Sequence, residues 1–399
     1  MTTTASPARR TPAAGPPFGP DRLARLTETV REHARHTDEH AEFPAQALAE
    51  LRTSGLLGLL VPTGYGGAGG SLKDMLEVSA TLSRTCMSVG MIFAMHCQQV
   101  AALVDHGSEA LRDEVLPGIA RGEVYLASVT TESGKGGHLL TSESALDAHA
   151  DTLRLDRTAP VVTGGAHADA FLVTTQAPGA TSPHQVSLVY AERARLEAEV
   201  TGGWNPVGMR ATHSVPMRLR GDVPAHHVVG EHGAFRTITV ETFAPLAHLG
   251  WSACWLGTAA GALARTVEWL RSPAQRRRRD LSGELLLTRL GRARQRLETV
   301  HALLQHAADV HSDPSRDRSA APVQSLLNTL KLTASEECLA AVDELVELAG
   351  LGQGYLRDAP LELERAWRDL RSASLNYGND RLRTANGTLA LLDREVTLA

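Results

Sequence analysis

Along the first hundred residues apolar side chains recur every three or four positions. In DRLARLTETVREHARH, Leu23, Leu26 and Val30 share one helical face, and PAQALAELRTSGLLGLL continues the period. A glycine-rich connection, VPTGYGGAGGS, leads to SLKDMLEVSATLSR and then to the long apolar run MSVGMIFAMHCQQVAALVDHG. The pattern predicts a helical N-terminal domain over residues 21–120. From about Gly122 to Phe235 the runs shorten to VYLASVTT, DTLRLDR, APVVTGG, AFLVTTQ and QVSLVYA, rich in Val, Leu and Thr and broken by Gly, Pro and Asp. These predict a compact β domain over 121–235. Helical spacing returns in HLGWSACWLGTAAGALARTVEWLR, LLLTRLGRARQRLETVHALLQHAADV and SLLNTLKLTASEECLAAVDELVELAG, giving a helical region over 236–399. The class is α+β, ordered helical, β, helical, without an internal repeat. Residues 1–20, MTTTASPARRTPAAGPPFGP, have too few apolar side chains for a core and no secretory apolar stretch, so they read as a disordered tail.

With 399 residues, 43% of them hydrophobic, the chain can bury a large common core. A net charge of -5 gives no electrostatic reason to expect nucleic acid or an anionic membrane as partner. Cys86, Cys97, Cys254 and Cys338 are widely spaced in apolar stretches, which fits a reducing cytoplasm better than a disulfide framework or a zinc site. Lysine occurs only at Lys73, Lys135 and Lys331, so runs of arginine carry little weight here.

Gly64, Gly66 and Gly69 match G-x-G-x-x-G, but helical patterns flank them and no second strand follows; a loop between helices is expected. SGKGG (Ser133 to Gly137) lacks the Ser or Thr after its lysine that would hold magnesium in a phosphate loop. The histidine groups, including His226 and His227, have no Cys or acidic neighbour at metal-ligand spacing, so no metal is expected. Arg276 to Arg279 read as a solvated turn, although clustered guanidiniums also suit phosphate.

Taken in order, LGLLVPTGYGGAGG, LPGIARGEVYLASVTTESGKGG, APVVTGGAHADAFLVTT, NPVGMRATHS followed by DVP, GEHGAFR, AGLGQGY and WRD resemble the acyl-CoA dehydrogenase superfamily over almost all of the chain after the tail. The resemblance implies an N-terminal helical domain, a central β-barrel and a C-terminal four-helix bundle, with FAD, or FMN, between barrel and bundle in a homodimer or homotetramer. It places Thr130 and Thr131, beside Glu132 and Ser133, at the flavin pyrimidine edge, where a hydroxyl can both donate and accept. Val161 to Thr163 match the family's Trp-x-Thr strand, keeping the hydroxyl expected near flavin N5 and losing the stacking tryptophan. Gly352, Gln353 and Gly354 match a turn that approaches the FAD of the adjacent subunit; a tight inter-helix turn is the plainer reading. Arg271, or one of Arg276 to Arg279, is the candidate for the pyrophosphate. On the substrate side the resemblance points to Arg210, and to Gly137 with Lys135 where the family has a serine touching the pantetheine arm.

The departure that matters most is at the base. Counted from Arg368 and Asp369, the family's catalytic glutamate falls on Tyr377; its other known location falls on Ala247, next to His248. A phenol with its ordinary pKa near 10 would need lowering by roughly 3 units, about 4 kcal/mol, to accept an α-proton at neutral pH. Tyr377, His248 and His96 are therefore candidate bases, with Glu241 or Asp380 as displaced carboxylates. Each has a plainer reading: core histidines, and a tyrosine filling the glutamate's volume. Three activities follow from the resemblance. The first is oxidation of an acyl thioester of CoA or an acyl carrier protein, with an external electron acceptor. The second is oxygenation by flavin supplied through a reductase, and the third is a non-redox or silent role.

Overall fold

The computed structural model describes residues 19–133, 139–393 and 395–399. Residues 1–18 of the expected tail, and Lys135 and Gly137, lie outside the described residues. Five helices open the described chain: α1 (Pro20–His40), α2 (Ala45–Ser54), α3 (Leu72–Ser83), α4 (Met87–His106) and α5 (Glu109–Ala120). Local chemistry sets their starts. Ser71 and Asp74 cap α3 reciprocally, each side chain accepting the other's backbone N–H, and the Ser108 hydroxyl caps α5. Gly64, Gly66 and Gly69 fall in the turns between α2 and α3, so the expected inter-helix loop is what they form. Among the described residues only α4 is long and apolar enough to cross a membrane, with mean hydropathy 1.4, yet 89% of that stretch is buried in the protein. Its apolarity is that of a core helix.

The middle of the chain forms strands β1 (Leu126–Val129), β2 (Leu146–His149), β3 (Thr152–Ala159), β4 (Ala170–Gln176), β5 (Val186–Glu192), β6 (Leu196–Val200), β7 (Met217–Pro224) and β8 (Val228–Val229). They make two four-stranded sheets, ordered β1-β4-β5-β8 and β2-β3-β7-β6. β1 and β4 run parallel, with Leu126 opposite Ala170, and the other pairs are antiparallel. The expected closed β-barrel is therefore corrected to two stacked open sheets. The physical reason lies in β4, which is buried along both faces: Phe171 and Val173 join the core shared with β3 and β7, while Ala170 and Leu172 join the apolar cluster under α5. A strand packed by a second sheet on one side and by helices on the other has both faces covered without closure. In β3 burial alternates strictly, and Leu153, Leu155, Arg157 and Ala159 point inward.

The remaining elements are α6 (Phe235–Ile238), a π-turn (Thr239–Phe243), α7 (Ala244–Arg271), α8 (Pro273–Arg278), α9 (Glu284–Ser312), α10 (Ala321–Ala349), a second π-turn (Leu351–Tyr355), α11 (Leu363–Arg371) and α12 (Asn379–Leu392). The long helices α7, α9 and α10 pack on one another, and α12 lies along α10. α3 and α4 join this bundle through α7. Two glycines let them do so: a Cβ on Gly257 would stand 2.2 Å from the Ala80 carbonyl oxygen, and one on Gly261 2.3 Å from that of Arg84. One apolar core consequently runs through all three segments, from Leu26 through Leu155 to Leu345.

Candidate functional site

The end of β1 and the segment after β3 meet at a surface built around a buried ion pair. Arg157, the one charged residue on the inward face of β3, is 1% exposed and pairs with Glu132 at 2.9 Å. Its other donors go to the carbonyls of Thr131, Thr158 and Thr174 at 2.8–3.0 Å. Glu132 also accepts from the Ser142 and Ser144 hydroxyls at 3.0 and 2.9 Å. A charge pair this dry persists when its remaining lone pairs and protons are satisfied, as they are here. Its effect is to fix the Thr130–Ser133 turn. Thr131 then donates its hydroxyl to the Val161 carbonyl at 2.9 Å, which brings the two predicted flavin-side segments together. Val161 itself is an exposed apolar side chain, and Thr163 shares a hydroxyl contact with Ser214 at 3.0 Å. Two partly exposed hydroxyls beside an exposed valine suit a flat ring with a polar edge.

The second part is the turn between α11 and α12. Tyr377 takes a left-handed φ of 51°, a conformation a bulky residue rarely adopts without support. Support comes from Lys331 on α10, which is fully buried and donates to the Tyr377 carbonyl at 3.1 Å and to Asn379 Oδ1 at 2.6 Å. The ammonium also stands 5.7 Å from the Trp255 ring centroid. Burial pulls Lys331 down to about 8. Partial burial pushes the Tyr377 phenol above its usual value. The His248 ring lies 6.2 Å from that of Tyr377, and burial first, with the Lys331 charge second, acidifies the imidazolium to about 3. Next on the same stripe of α7, Trp251 and Trp255 stand ring to ring at 6.4 Å, and both indole N–H groups are buried with no partner among the described residues. Buried donors of this kind call for an acceptor that the described residues do not supply, an ordered water or a bound group.

Other predicted site residues have work elsewhere. His96 spends both ring nitrogens on backbone: Nδ1 accepts from the Leu126 N–H at 3.1 Å, so Nε2 carries the proton and donates to the Leu57 carbonyl at 2.8 Å. It is fully buried, with its pKa lowered to about 4, and it ties α4 to the start of β1; this corrects its candidacy as a base. Arg210 is likewise corrected from substrate contact to scaffold, because it donates to the Asp38 and Glu39 carbonyls ending α1 and to Asn205 and Pro206. Gly354 sits where a Cβ would lie 2.6 Å from the Val346 carbonyl oxygen, whereas Gly352 faces open space. That is the tight turn of the plainer reading, with Gln353 and Gly354 both donating backbone N–H groups to the Gly350 carbonyl. Arg271 ends α7 on the rim of a groove of about 1440 Å³ between α3, α7 and α9, which none of the flavin-side threonines lines. Arg279 caps the Leu348 carbonyl and stacks on Trp269. Asp380 is exposed and pairs with Arg383.

Sequence reasoning missed three groups. The Arg157–Glu132 pair had one local signal, an arginine at an inward position of an alternating strand. Lys331 had one too, as a rare lysine inside an apolar helical run. Arg368 and Asp369 served only for counting, yet Arg368 pairs with Asp38 at 2.6 Å, while Asp369 accepts the Met209 N–H at 2.6 Å and is raised to about 6 by burial.

Comparison with known proteins agrees with this architecture. The chain matches the profile of the acyl-CoA dehydrogenase N-terminal domain over residues 23–123 and that of the C-terminal domain over 249–379, together more than half its length. It belongs to the acyl-CoA dehydrogenase superfamily. It is 24% identical to an acyl-CoA dehydrogenase of Bacillus subtilis (strain 168) over 343 residues, 86% of this chain and 88% of that protein. Among solved structures it resembles FMN-bound TdsC, a dibenzothiophene monooxygenase from Paenibacillus sp. A11-2, with TM-score 0.84, 21% identity and coverage of 95% and 98%. It also resembles the prolyl acyl carrier protein oxidase AnaB, with TM-score 0.76, 20% identity and coverage of 93% and 99%.

Proposed function

We propose that the chain is a flavin-dependent oxidoreductase that oxidises an acyl thioester of CoA or an acyl carrier protein. The observation that carries the reading is the surface of Thr131, Val161 and Thr163, held rigid by the buried Arg157–Glu132 pair. Thr131 and the neighbouring backbone would hold the pyrimidine edge, Val161 would lie against the ring, and the Thr163 hydroxyl would face N5. Bound flavin supplies a two-electron acceptor for the hydride leaving Cβ. The chain must take the α-proton, and Tyr377 is the side chain where the family carries its base. A homodimer or homotetramer and an external electron acceptor complete this reading. The test is to load the protein with FAD, remove oxygen and add a panel of acyl thioesters. Bleaching of the flavin band supports oxidation; a flavin that binds and stays yellow with every thioester overturns it.

A specific observation favours oxygenation as the second reading. Tyr377 is raised above its ordinary pKa, His248 is acidified to about 3 and His96 is committed to backbone, so none of the three is a ready base at neutral pH. Oxygenation would need no α-proton base on the protein. The same preparation, given FMN or FAD and a flavin reductase in air, would then turn over an aromatic or acyl acceptor that fails to bleach it anaerobically.

A further inference from the structure

Where α5 meets the entry to β8, two histidines and a carboxylate converge that the flavin chemistry does not use. His226 Nε2 lies 2.7 Å from Glu114 Oε2, and His227 Nε2 lies 3.1 Å from Glu114 Oε1. One donor atom from each of the three residues can be chosen so that all lie within 4.8 Å of one another. The sequence could not show this, because the glutamate comes from 112 residues upstream of His226.

His227 makes the cluster more than a chance contact. It is fully buried, and its Nδ1 lies 3.3 Å from the Tyr190 carbonyl oxygen while its Nε2 faces the carboxylate. Both neighbours are acceptors. A neutral imidazole carries one N–H, so either tautomer leaves a ring lone pair directed at an oxygen. With the proton on Nδ1, donating to Tyr190, the opposing pair is Nε2 against Glu114. A cation between them removes the conflict. The carbonyl bond at Nδ1 is also the outer contact that fixes tautomer and ring orientation in histidine metal ligands.

We propose that Glu114, His226 and His227 bind one divalent transition metal of the zinc type, with water completing the coordination, and that the ion pins α5 to the sheet edge at β8. Two imidazoles and a carboxylate suit zinc, and at metal–ligand lengths of about 2.1 Å tetrahedral ligands stand about 3.4 Å apart. The present His227–Glu114 and His226–Glu114 separations of 3.1 and 2.7 Å are both shorter than that, so binding requires the imidazoles and the carboxylate to spread by side-chain rotation. The partly exposed faces of Glu114 and His226 give the ion a way in.

The proposal is tested on the full chain, stripped with EDTA and dialysed, by calorimetric titration with zinc and by the visible absorption of added cobalt. The expected result is one site with a Kd of about 10 μM or tighter, cobalt bands of a four-coordinate site, and a melting temperature that rises with zinc and falls back with EDTA. His226→Ala and Glu114→Gln, both at partly exposed positions, should each weaken zinc about tenfold or more. No binding at 1 mM zinc overturns the proposal and leaves a hydrogen-bonded His–Glu–His clamp. Unchanged affinity in both variants also overturns it, by placing the zinc elsewhere. Neither readout depends on flavin.

Discussion

Replacing Lys331 by methionine tests whether a buried ammonium holds the Tyr377 turn. Lys331 is fully buried and its pKa is pulled from 10.5 to about 8, chiefly by burial. The folded state therefore disfavours the proton relative to the unfolded chain, which still binds it up to pH 10.5. Between these values the unfolded state holds more protons, so stability from this group rises with pH, and the burden of the charge is fully present only below about pH 8. With those two pKa values, moving from pH 7.5 to 9.5 gains about 2 kcal/mol in the wild type and nothing in Lys331→Met. The neutral amine still donates to Asn379, so the turn survives deprotonation. Urea unfolding of both proteins across that range, taken as a difference so that other titrations cancel, measures it. At neutral pH the variant leaves the Tyr377 carbonyl without its donor, at about 1–3 kcal/mol, and Asn379 Oδ1 with only the longer Ser335 hydroxyl contact at 3.4 Å, partly offset by the lost cost of the charge. A wild-type minus variant difference that stays flat across the range would refute the reasoning.

Thr131→Ala should weaken flavin binding about 3- to 10-fold, the loss of one hydrogen bond, in a fluorescence titration; unchanged affinity removes Thr131 from the site. If Tyr377 accepts the α-proton, Tyr377→Phe should slow anaerobic flavin reduction at least tenfold, about 1.4 kcal/mol, by stopped flow. Under oxygenation the same substitution leaves reduction by an external reductase unchanged. His96→Phe leaves the Leu57 carbonyl and Leu126 N–H unpaired and should cost about 2–4 kcal/mol at pH 7 by urea unfolding. Because its folded pKa of about 4 lies below the unfolded 6.5, wild-type stability from His96 is complete above pH 6.5 and is lost as pH falls toward 4. The variant should lack that part of the acid sensitivity.

The order of helical, β and helical segments was legible because each period is local: three to four residues in the helices, two in β3. Closure of the strands was not, since a run buried on both faces reads the same whether a barrel or a helix covers it, as β4 demonstrates. Motif order assigned the Thr131 and Val161 segments to one ligand, and the fold joins them by a hydrogen bond from the Thr131 hydroxyl to the Val161 carbonyl. Long-range partners remained hidden. Nothing near Arg210 announces that it caps α1, nothing near Lys331 that it grips a turn 46 residues on, and nothing near His226 that Glu114 waits across the seam.

The backbone contacts at Gly257 and Gly261 also bear on modularity. Family profiles divide such chains into N- and C-terminal pieces, yet here the two pieces pack backbone against backbone at two glycines about one helical turn apart. A graft of one piece onto a relative's counterpart must reproduce that bare helical ridge, or the joint is forced apart by a methyl group. The units in which these sequences are catalogued are thus not units that can be exchanged freely, and recombination in this family should succeed at the strand-rich middle before it succeeds between α3 and α7.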